Sequence, residues 1–240
     1  KQIDALAGRH RVIAPDLRGL GRSQRVAFAP DVFRREAADL IDLAGTLGIE
    51  RCHIVGFSAG SLPARVIPIE RPDLVATLTL IAAPDRLAGP VLEKVRRLLI
   101  EETRQPKFAA LLADLHGADY WEDLCNARVE VETRFAEQTG GDPTGGRLGQ
   151  IRCPVLIVRG EHDHLTPRSN AEALAARIPW AERRELPGGS HFVPQESADW
   201  LNPILLEWFA RHPIDQAAAG RIAPGSRAPQ DPELPAYCKS

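Results

Sequence analysis

The stretch that decides the fold is His53–Ser61, HIVGFSAGS, in which an apolar run ends in small residues around Ser58. Glycines at positions 56 and 60 place this serine in the pattern Gly-x-Ser-x-Gly. We expect both glycines to be needed, because Cβ atoms would collide in so tight a bend. The turn can present a serine hydroxyl as a nucleophile, with the backbone N–H of Ala59 at the positive end of the next helix. Glycine and serine are also common in ordinary bends, so the pattern alone leaves both interpretations open.

Several apolar runs along the chain predict the strands of a sheet. Most of them are continuously apolar, which is typical of parallel strands that are covered on both faces. Helical patterns separate them, so the sequence predicts an α/β fold with a doubly wound, mostly parallel sheet. The five predicted strands are Arg11–Pro15, Cys52–Gly56, Ala76–Ala82, Pro154–Arg159 and Ala181–Leu186.

Helical periodicity places the remaining elements and divides the chain. A helix is predicted at Val32–Leu47 with Asp31 as its cap, and another at Ala59–Glu70, which Pro68 should bend or end early. From residue 85 helices replace strands, at Pro90–Glu102, Phe108–Leu115 and Trp121–Glu137. We therefore expect a core at 1–84, a helical cap insertion at 85–150, a second part of the core at 151–212, and a Pro-, Ala- and Gly-rich tail at 213–240 without a packed element.

Composition excludes several classes of protein. The 240 residues include 30 basic and 32 acidic side chains, so no net field favours nucleic acid or an anionic membrane. No apolar stretch reaches the roughly 18 residues of a membrane helix. The four cysteines are far apart, and free thiols are expected rather than a disulfide or a zinc site. No signal peptide is visible, so a cytoplasmic location is expected, while the oligomeric state is not indicated.

Two later strands end beside residues that could activate a serine. A serine hydroxyl needs a base, usually histidine, that a carboxylate orients, and functional groups gather at the carboxyl ends of parallel strands. Asp163 follows the fourth predicted strand, in GEHDHLTP, and His191 follows the fifth, in PGGSHFVPQE. Asp85, in IAAPD after the third strand, is an alternative acid, and otherwise a helix cap. His162 and His164 flank the acid, but histidines in a polar loop are usually solvated rather than metal ligands.

Up to about residue 212 the chain resembles the α/β-hydrolase superfamily. The matching pieces are RVIAPDLRGLGRS (Arg11–Ser23), GFSAG (Gly56–Gly60), RCPVLIVRGEHDHLTP (Arg152–Pro167) and GGSHFVPQE (Gly188–Glu196). The resemblance implies that Ser58 is the nucleophile, His191 the general base and acid, and Asp163 the carboxylate that orients it. It also implies that the insertion covers the active site and that no metal or organic cofactor takes part.

A serine at position 58, where related dehalogenases and epoxide hydrolases carry aspartate, indicates acyl transfer. We expect a small-molecule ester as substrate, while enol-lactones, thioesters, C–C bonds next to a ketone and cofactor-free perhydrolysis use the same three residues. The alternative from another class is a non-catalytic protein of this fold that binds a ligand or a partner.

The resemblance also predicts elements ahead of residue 1. In the family the second oxyanion donor comes from a loop after a strand that lies between the counterparts of Arg11–Pro15 and Cys52–Gly56. Gln2–Ala7 matches the end of the helix after that loop. We therefore expect this chain to be a truncation that is poorly stable and at most weakly active by itself.

Overall fold

Four parallel strands form the sheet in the computed structural model, which describes residues 1–214. They lie in the order β1-β2-β3-β4, so each strand pairs with the next strand along the chain. Their bounds are β1 (Cys52–Phe57), β2 (Val75–Ile81), β3 (Val155–Gly160) and β4 (Glu182–Leu186). These strands and their parallel pairing confirm the predicted α/β class and four of the five predicted strands.

Helices cover the sheet on both sides and fill its crossovers. Residues 1–214 contain nine α-helices, which are α1 (Gln2–Ala7), α2 (Val32–Thr46), α3 (Ser61–Glu70), α4 (Gly89–Ile100), α5 (Pro106–His116), α6 (Trp121–Thr139), α7 (Arg168–Arg177), α8 (Val193–Glu196) and α9 (Ala198–Arg211). A single 3₁₀ turn, Ser58–Gly60, joins β1 to α3.

The two faces of the sheet hold separate apolar cores, because successive side chains of a strand point to opposite faces. On one face Leu156 and Val158 of β3 pack with α1 and α9, where Trp208 is almost fully buried. On the other face Val155 and Ile157 pack with α3 and α7. Burial on both faces explains why β2 and β3 are apolar or uncharged at nearly every position.

The predicted strand Arg11–Pro15 was wrong. Residues 11–17 form no strand, and within residues 1–214 no strand pairs with β1 on the side away from β2. An apolar run becomes a strand only where a neighbour accepts and donates its backbone hydrogen bonds. β1 is therefore an edge strand in this part of the chain, and Val55 on it is 43% exposed.

Two details of the predicted helices differ from the structure. Asp31 does precede α2, but its carboxylate makes no capping hydrogen bond and instead accepts one from Nε of Arg35 at 2.6 Å. Pro68 lies inside α3 without ending it early, since the helix runs on to Glu70. A proline in the last turn removes only one helical N–H, and the N–H of Arg71 still donates to the carbonyl of Ile67 at 2.7 Å.

The three helices between β2 and β3 dock on the core through an apolar cluster and a buried ion pair. Val131 and Phe135 of α6 pack against Phe33 of α2. Beside them Nη1 of Arg128 donates to Oε1 of Glu36 at 2.7 Å, with both side chains buried. α4 and α5, in contrast, contain no fully buried side chain.

The cysteines within residues 1–214 are free thiols, as expected. Burial raises the pKa of both Cys52 and Cys153 to about 11, so neither is a thiolate near neutral pH. Cys238 and residues 215–240, most of the predicted tail, lie outside the described residues. No helix within residues 1–214 is long and apolar enough to span a membrane.

Candidate active site

The Ser58 turn is a strained bend between β1 and α3. Ser58 has a φ of 49°, a left-handed conformation that side-chain-bearing residues rarely adopt. A Cβ at Gly56 would lie 2.7 Å from the Cα of Ser61, so only glycine fits there. At Gly60 the expectation was wrong, because a Cβ would meet nothing within 4 Å. The close packing of the bend therefore requires glycine at one of the two positions only.

His191 lies directly against the serine. Its Nε2 is 2.9 Å from Oγ of Ser58, within hydrogen-bond distance. The His191 side chain is almost fully buried, and the centre of its ring lies 5.4 Å from that of Phe57 and 5.3 Å from that of Phe192. Two aromatic rings thus pack beside the imidazole whose Nε2 faces Ser58.

The other nitrogen of the imidazole faces Asp163. Nδ1 of His191 is 2.9 Å from Oδ2 and 3.0 Å from Oδ1 of this buried carboxylate. Burial alone would raise the pKa of Asp163, but hydrogen bonds from His191 and Thr166 outweigh it and hold the pKa below its usual range. Asp163 is therefore ionised near neutral pH, and His191 donates from Nδ1 to it. That tautomer leaves Nε2 free to accept a proton from Ser58.

The loop after β3 donates further hydrogen bonds to both oxygens of the Asp163 carboxylate. The N–H groups of Leu165 and Thr166 donate to Oδ1 of Asp163 at 3.0 and 2.8 Å, and the Thr166 hydroxyl donates to Oδ2 at 2.6 Å. Thr166 was missed in the sequence. The signal for it is the spacing Asp-x-x-Thr, at which an aspartate can accept bonds from the N–H groups two and three residues further along and from the threonine hydroxyl.

The loops that carry Asp163 and His191 are hydrogen-bonded to each other. The N–H of Glu161 donates to the carbonyl of Leu186, and that of His162 to the carbonyl of Gly189, at 2.9 and 2.7 Å. In return the N–H of Gly188 donates to Oε2 of Glu161 at 2.8 Å. A Cβ at Gly160 would lie 2.2 Å from the carbonyl oxygen of Ser190, so the close approach of the loops requires glycine.

Asp85 does not reach His191 in this arrangement. Its carboxylate accepts from Nη1 of Arg177 at 3.1 Å, and its backbone N–H donates to Oδ1 of Asn170. It does not cap a helix either, since α4 begins at Gly89 after Ala88. The capping prediction was therefore wrong, because an arginine 92 residues further along the chain binds the carboxylate.

The remaining predicted residues lie at the rim of the site. Ala59 is exposed and follows Ser58 in the 3₁₀ turn. His162 and His164 are exposed on either side of buried Asp163, as expected for solvated residues. Lys94 of α4 donates through Nζ to the carbonyl of His164, a contact with the loop that carries Asp163 that the sequence did not indicate.

A second contact of the inserted helices was also not predicted. The N–H of Gly21 donates to Nδ1 of His116, the last residue of α5, at 2.8 Å. Near it the Arg25 guanidinium makes a bidentate pair with Asp119 and lies 4.3 Å from the ring centre of Tyr120. Residues 94, 116 and 119 thus connect the segment between β2 and β3 to two loops outside it.

Several known proteins are similar to this chain in sequence or in fold. The human serine hydrolase BPHL is 28% identical over 204 residues, which are 82% of this chain and 68% of that protein. The RutD protein of Agrobacterium fabrum (strain C58) is 30% identical over 237 residues, which are 90% of this chain and 88% of RutD. The crystal structure of NosK from Streptomyces actuosus shares the fold with a TM-score of 0.72 at 24% identity, over 88% of this chain and 90% of NosK.

The sequence model of the alpha/beta hydrolase family matches residues 2–204, most of the chain. Hydrolases among the relatives indicate an enzyme of this type that acts on small molecules. The parallel sheet, its flanking helices and this match lead to one conclusion: the chain belongs to the alpha/beta hydrolase family.

Proposed function

We propose that this protein is a serine hydrolase that cleaves a carboxylic ester or a related acyl bond, such as that of a lactone. One observation carries the proposal, the continuous hydrogen-bonded series from Ser58 through His191 to Asp163, with 2.9 Å at each nitrogen of the imidazole. This series matches the requirements of an activated serine, in which a base contacts the nucleophile and a carboxylate orients the base.

The first half of the reaction forms an acyl-enzyme. Oγ of Ser58 attacks the carbonyl carbon as Nε2 of His191 takes the hydroxyl proton, and the carbonyl electron pair moves onto oxygen. Asp163 stabilises the imidazolium through its bond with Nδ1. When the tetrahedral intermediate collapses, His191 returns the proton to the leaving alcohol, and the acyl group stays on Ser58.

The second half uses water in the same way. His191 takes a proton from water, the resulting nucleophile attacks the acyl carbon, and Ser58 leaves with the proton returned by His191. The N–H of Ala59 is our candidate for an oxyanion donor, because the first N–H groups of a helical segment lack partners within it. Its exposure leaves it accessible to a substrate.

Labelling with a fluorophosphonate probe tests this proposal, because the probe reacts with activated serines. We expect the native chain to be labelled, Ser58→Ala to be unlabelled, and His191→Ala to be labelled far more slowly. Ser169→Ala is the control, since Ser169 is an exposed serine outside the triad. Hydrolysis of p-nitrophenyl esters of increasing chain length then measures the acyl preference.

Two results would overturn the proposal. Folded native protein that resists the probe and hydrolyses no ester would favour the non-catalytic alternative. Equal labelling of Ser58→Ala and native protein would place the reactive serine elsewhere. Circular dichroism of each variant shows whether loss of labelling reflects loss of the fold.

A further inference from the structure

A cavity of about 460 Å³ lies between α7 and the edge of the sheet formed by β3 and β4. None of the three triad residues lines it. Its charged lining residues are Arg159, Arg168, Arg183, Arg184, Glu172 and Glu185. Arg184 follows Arg183 on β4, so its side chain points to the other face of the sheet. The other three arginines and the two glutamates give the lining a formal charge of +1, although the whole chain carries −2.

Arg159 gives this cavity a buried positive charge. Its side chain is 7% exposed, and Nη1 contacts the Glu185 carboxylate while Nη2 donates to the carbonyl of Glu161 at 3.2 Å. Nε is buried, and within residues 1–214 it has no hydrogen-bond partner. A buried guanidinium needs an anion to offset the cost of its desolvation. The less completely Arg159 is paired within the protein, the more strongly the cavity attracts an anionic ligand.

The charge of Arg159 is only partly neutralised, because Arg159 shares Glu185 with a second arginine. The same carboxylate also accepts from Nη2 of Arg168, so one negative charge serves two arginines. Arg184 pairs instead with Glu182 at 3.4 Å. In the described part of the chain, no carboxylate lies within 4.0 Å of Arg183. Glu172, the second lining carboxylate, forms no ion pair within 4.0 Å in residues 1–214. With Arg184 paired to Glu182, three arginines of the lining still face two carboxylates.

The arginines reach the cavity from three elements. Arg159 projects from β3, Arg183 from β4, and Arg168 is the first residue of α7, whose N-terminus adds partial positive charge. A carboxylate has two oxygens and one direction of approach, whereas a phosphate offers acceptors in several directions to guanidinium forks. A phosphate or diphosphate group therefore suits a lining in which Arg159 and Arg168 meet at Glu185 and Arg183 lies on the neighbouring strand.

We propose that this cavity binds a small molecule through a phosphate or diphosphate group. The volume lies in the range of small-molecule sites, about 300–1,000 Å³. Ile157 and Ala171 also line the cavity and offer an apolar surface beside the charged one. The site is separate from the proposed hydrolase chemistry, and its occupancy does not require a reactive Ser58.

Isothermal titration calorimetry of the full chain with inorganic pyrophosphate, at low ionic strength in phosphate-free buffer, tests the proposal. We expect saturable binding that Arg183→Gln and Arg168→Gln each weaken about tenfold or more, since a charged hydrogen bond contributes about 1.5–3 kcal/mol. The control is Arg134→Gln, the same change of charge at an exposed arginine of α6 that pairs with Glu130. It should leave the affinity unchanged.

A parallel titration with adenosine diphosphate distinguishes the two sources of the diphosphate group. Tighter binding than that of pyrophosphate would support a nucleotide ligand, and equal binding would support recognition of the diphosphate alone. Ser58→Ala should bind as native protein does, so a failure of the proposed hydrolase activity does not affect this result. No binding at millimolar pyrophosphate, or equal weakening by Arg134→Gln, would overturn the proposal.

Discussion

Oγ1 of Thr166 lies 2.6 Å from Oδ2 of Asp163, the same oxygen that is 2.9 Å from Nδ1 of His191. The carboxylate oxygen that orients the imidazole therefore accepts a second hydrogen bond, from a buried hydroxyl three residues further along the chain. This bond favours the ionised form of Asp163 and holds the carboxylate in the plane that His191 needs.

Thr166→Val removes that hydroxyl while it keeps the side-chain shape. We expect kcat/KM for an ester to fall about tenfold, because one hydrogen bond to a charged group is lost. The pKa of Asp163 should also rise, since the variant lacks a hydrogen bond that favours the ionised carboxylate. Thr133→Val, which removes a hydroxyl bound to the carbonyl of Val129 on α6, is the control. An unchanged kcat/KM in Thr166→Val would show that the hydroxyl does not support Asp163.

Asp163→Asn and Asp85→Asn should separate the two candidate acids. In the first variant the amide cannot stabilise the imidazolium, and we expect kcat to fall by about 10⁴. In the second, the carboxylate lost is the partner of Arg177, so the midpoint of thermal unfolding should fall while ester hydrolysis continues. Steady-state kinetics and thermal melts on both proteins measure this. A folded but inactive Asp85→Asn beside an active Asp163→Asn would reverse the assignment.

The two glycines around Ser58 should respond differently to alanine. Gly56→Ala places a Cβ 2.7 Å from the Cα of Ser61, and we expect a loss of about 1–3 kcal/mol in the free energy of unfolding. Gly60→Ala meets open space at an ordinary helical φ of −63°, so its stability should equal or slightly exceed that of native protein. Chemical denaturation of the matched pair tests this, and similar losses in both variants would contradict it.

The contact between Gly21 and His116 should make the fold sensitive to acid. Burial lowers the pKa of His116, although the Asp16 carboxylate opposes the effect, and only the neutral imidazole can accept the Gly21 N–H. Below a pH of about 6.5 the unfolded chain binds a proton that the folded protein resists. The stabilisation is therefore complete above that pH and is lost as the pH falls towards the lowered folded pKa.

Unfolding free energies of native protein and His116→Gln between pH 8 and pH 5 measure that contribution. The difference between the two proteins should shrink as the pH falls, because only the native chain loses the contact. Arg25 and Asp119, which form the neighbouring ion pair, keep their charges over this range. A constant difference between the proteins would show that protonation leaves the contact intact.

The sequence predicted the fold and the position of the candidate site through one physical regularity. Apolar runs mark buried parallel strands, and the carboxyl ends of such strands meet at one edge, which is where Ser58, Asp163 and His191 lie. Residues 11–15 could not be assigned in this way, because a strand depends on a neighbour that an apolar pattern does not reveal.

The apolar pattern could not predict contacts between residues that are distant in the sequence. The pairing of Asp85 with Arg177 spans 92 residues, and nothing local at either residue indicates it. The open space around a Cβ at Gly60 depends on the path of α3, which the Gly-x-Ser-x-Gly pattern does not specify. Asp-x-x-Thr at residues 163–166 was readable in principle, because that hydrogen bond is local.

The helices differ in how much of each is buried, and we expect them to differ in the same way in their tolerance of mutation. Every residue of α3 from Ser61 to Pro68 is buried, whereas α4 and α5 bury none completely. Substitutions at exposed positions usually change stability by less than about 0.5 kcal/mol. Random mutagenesis should therefore recover folded variants with changes in α4 and α5 far more often than with changes in α3.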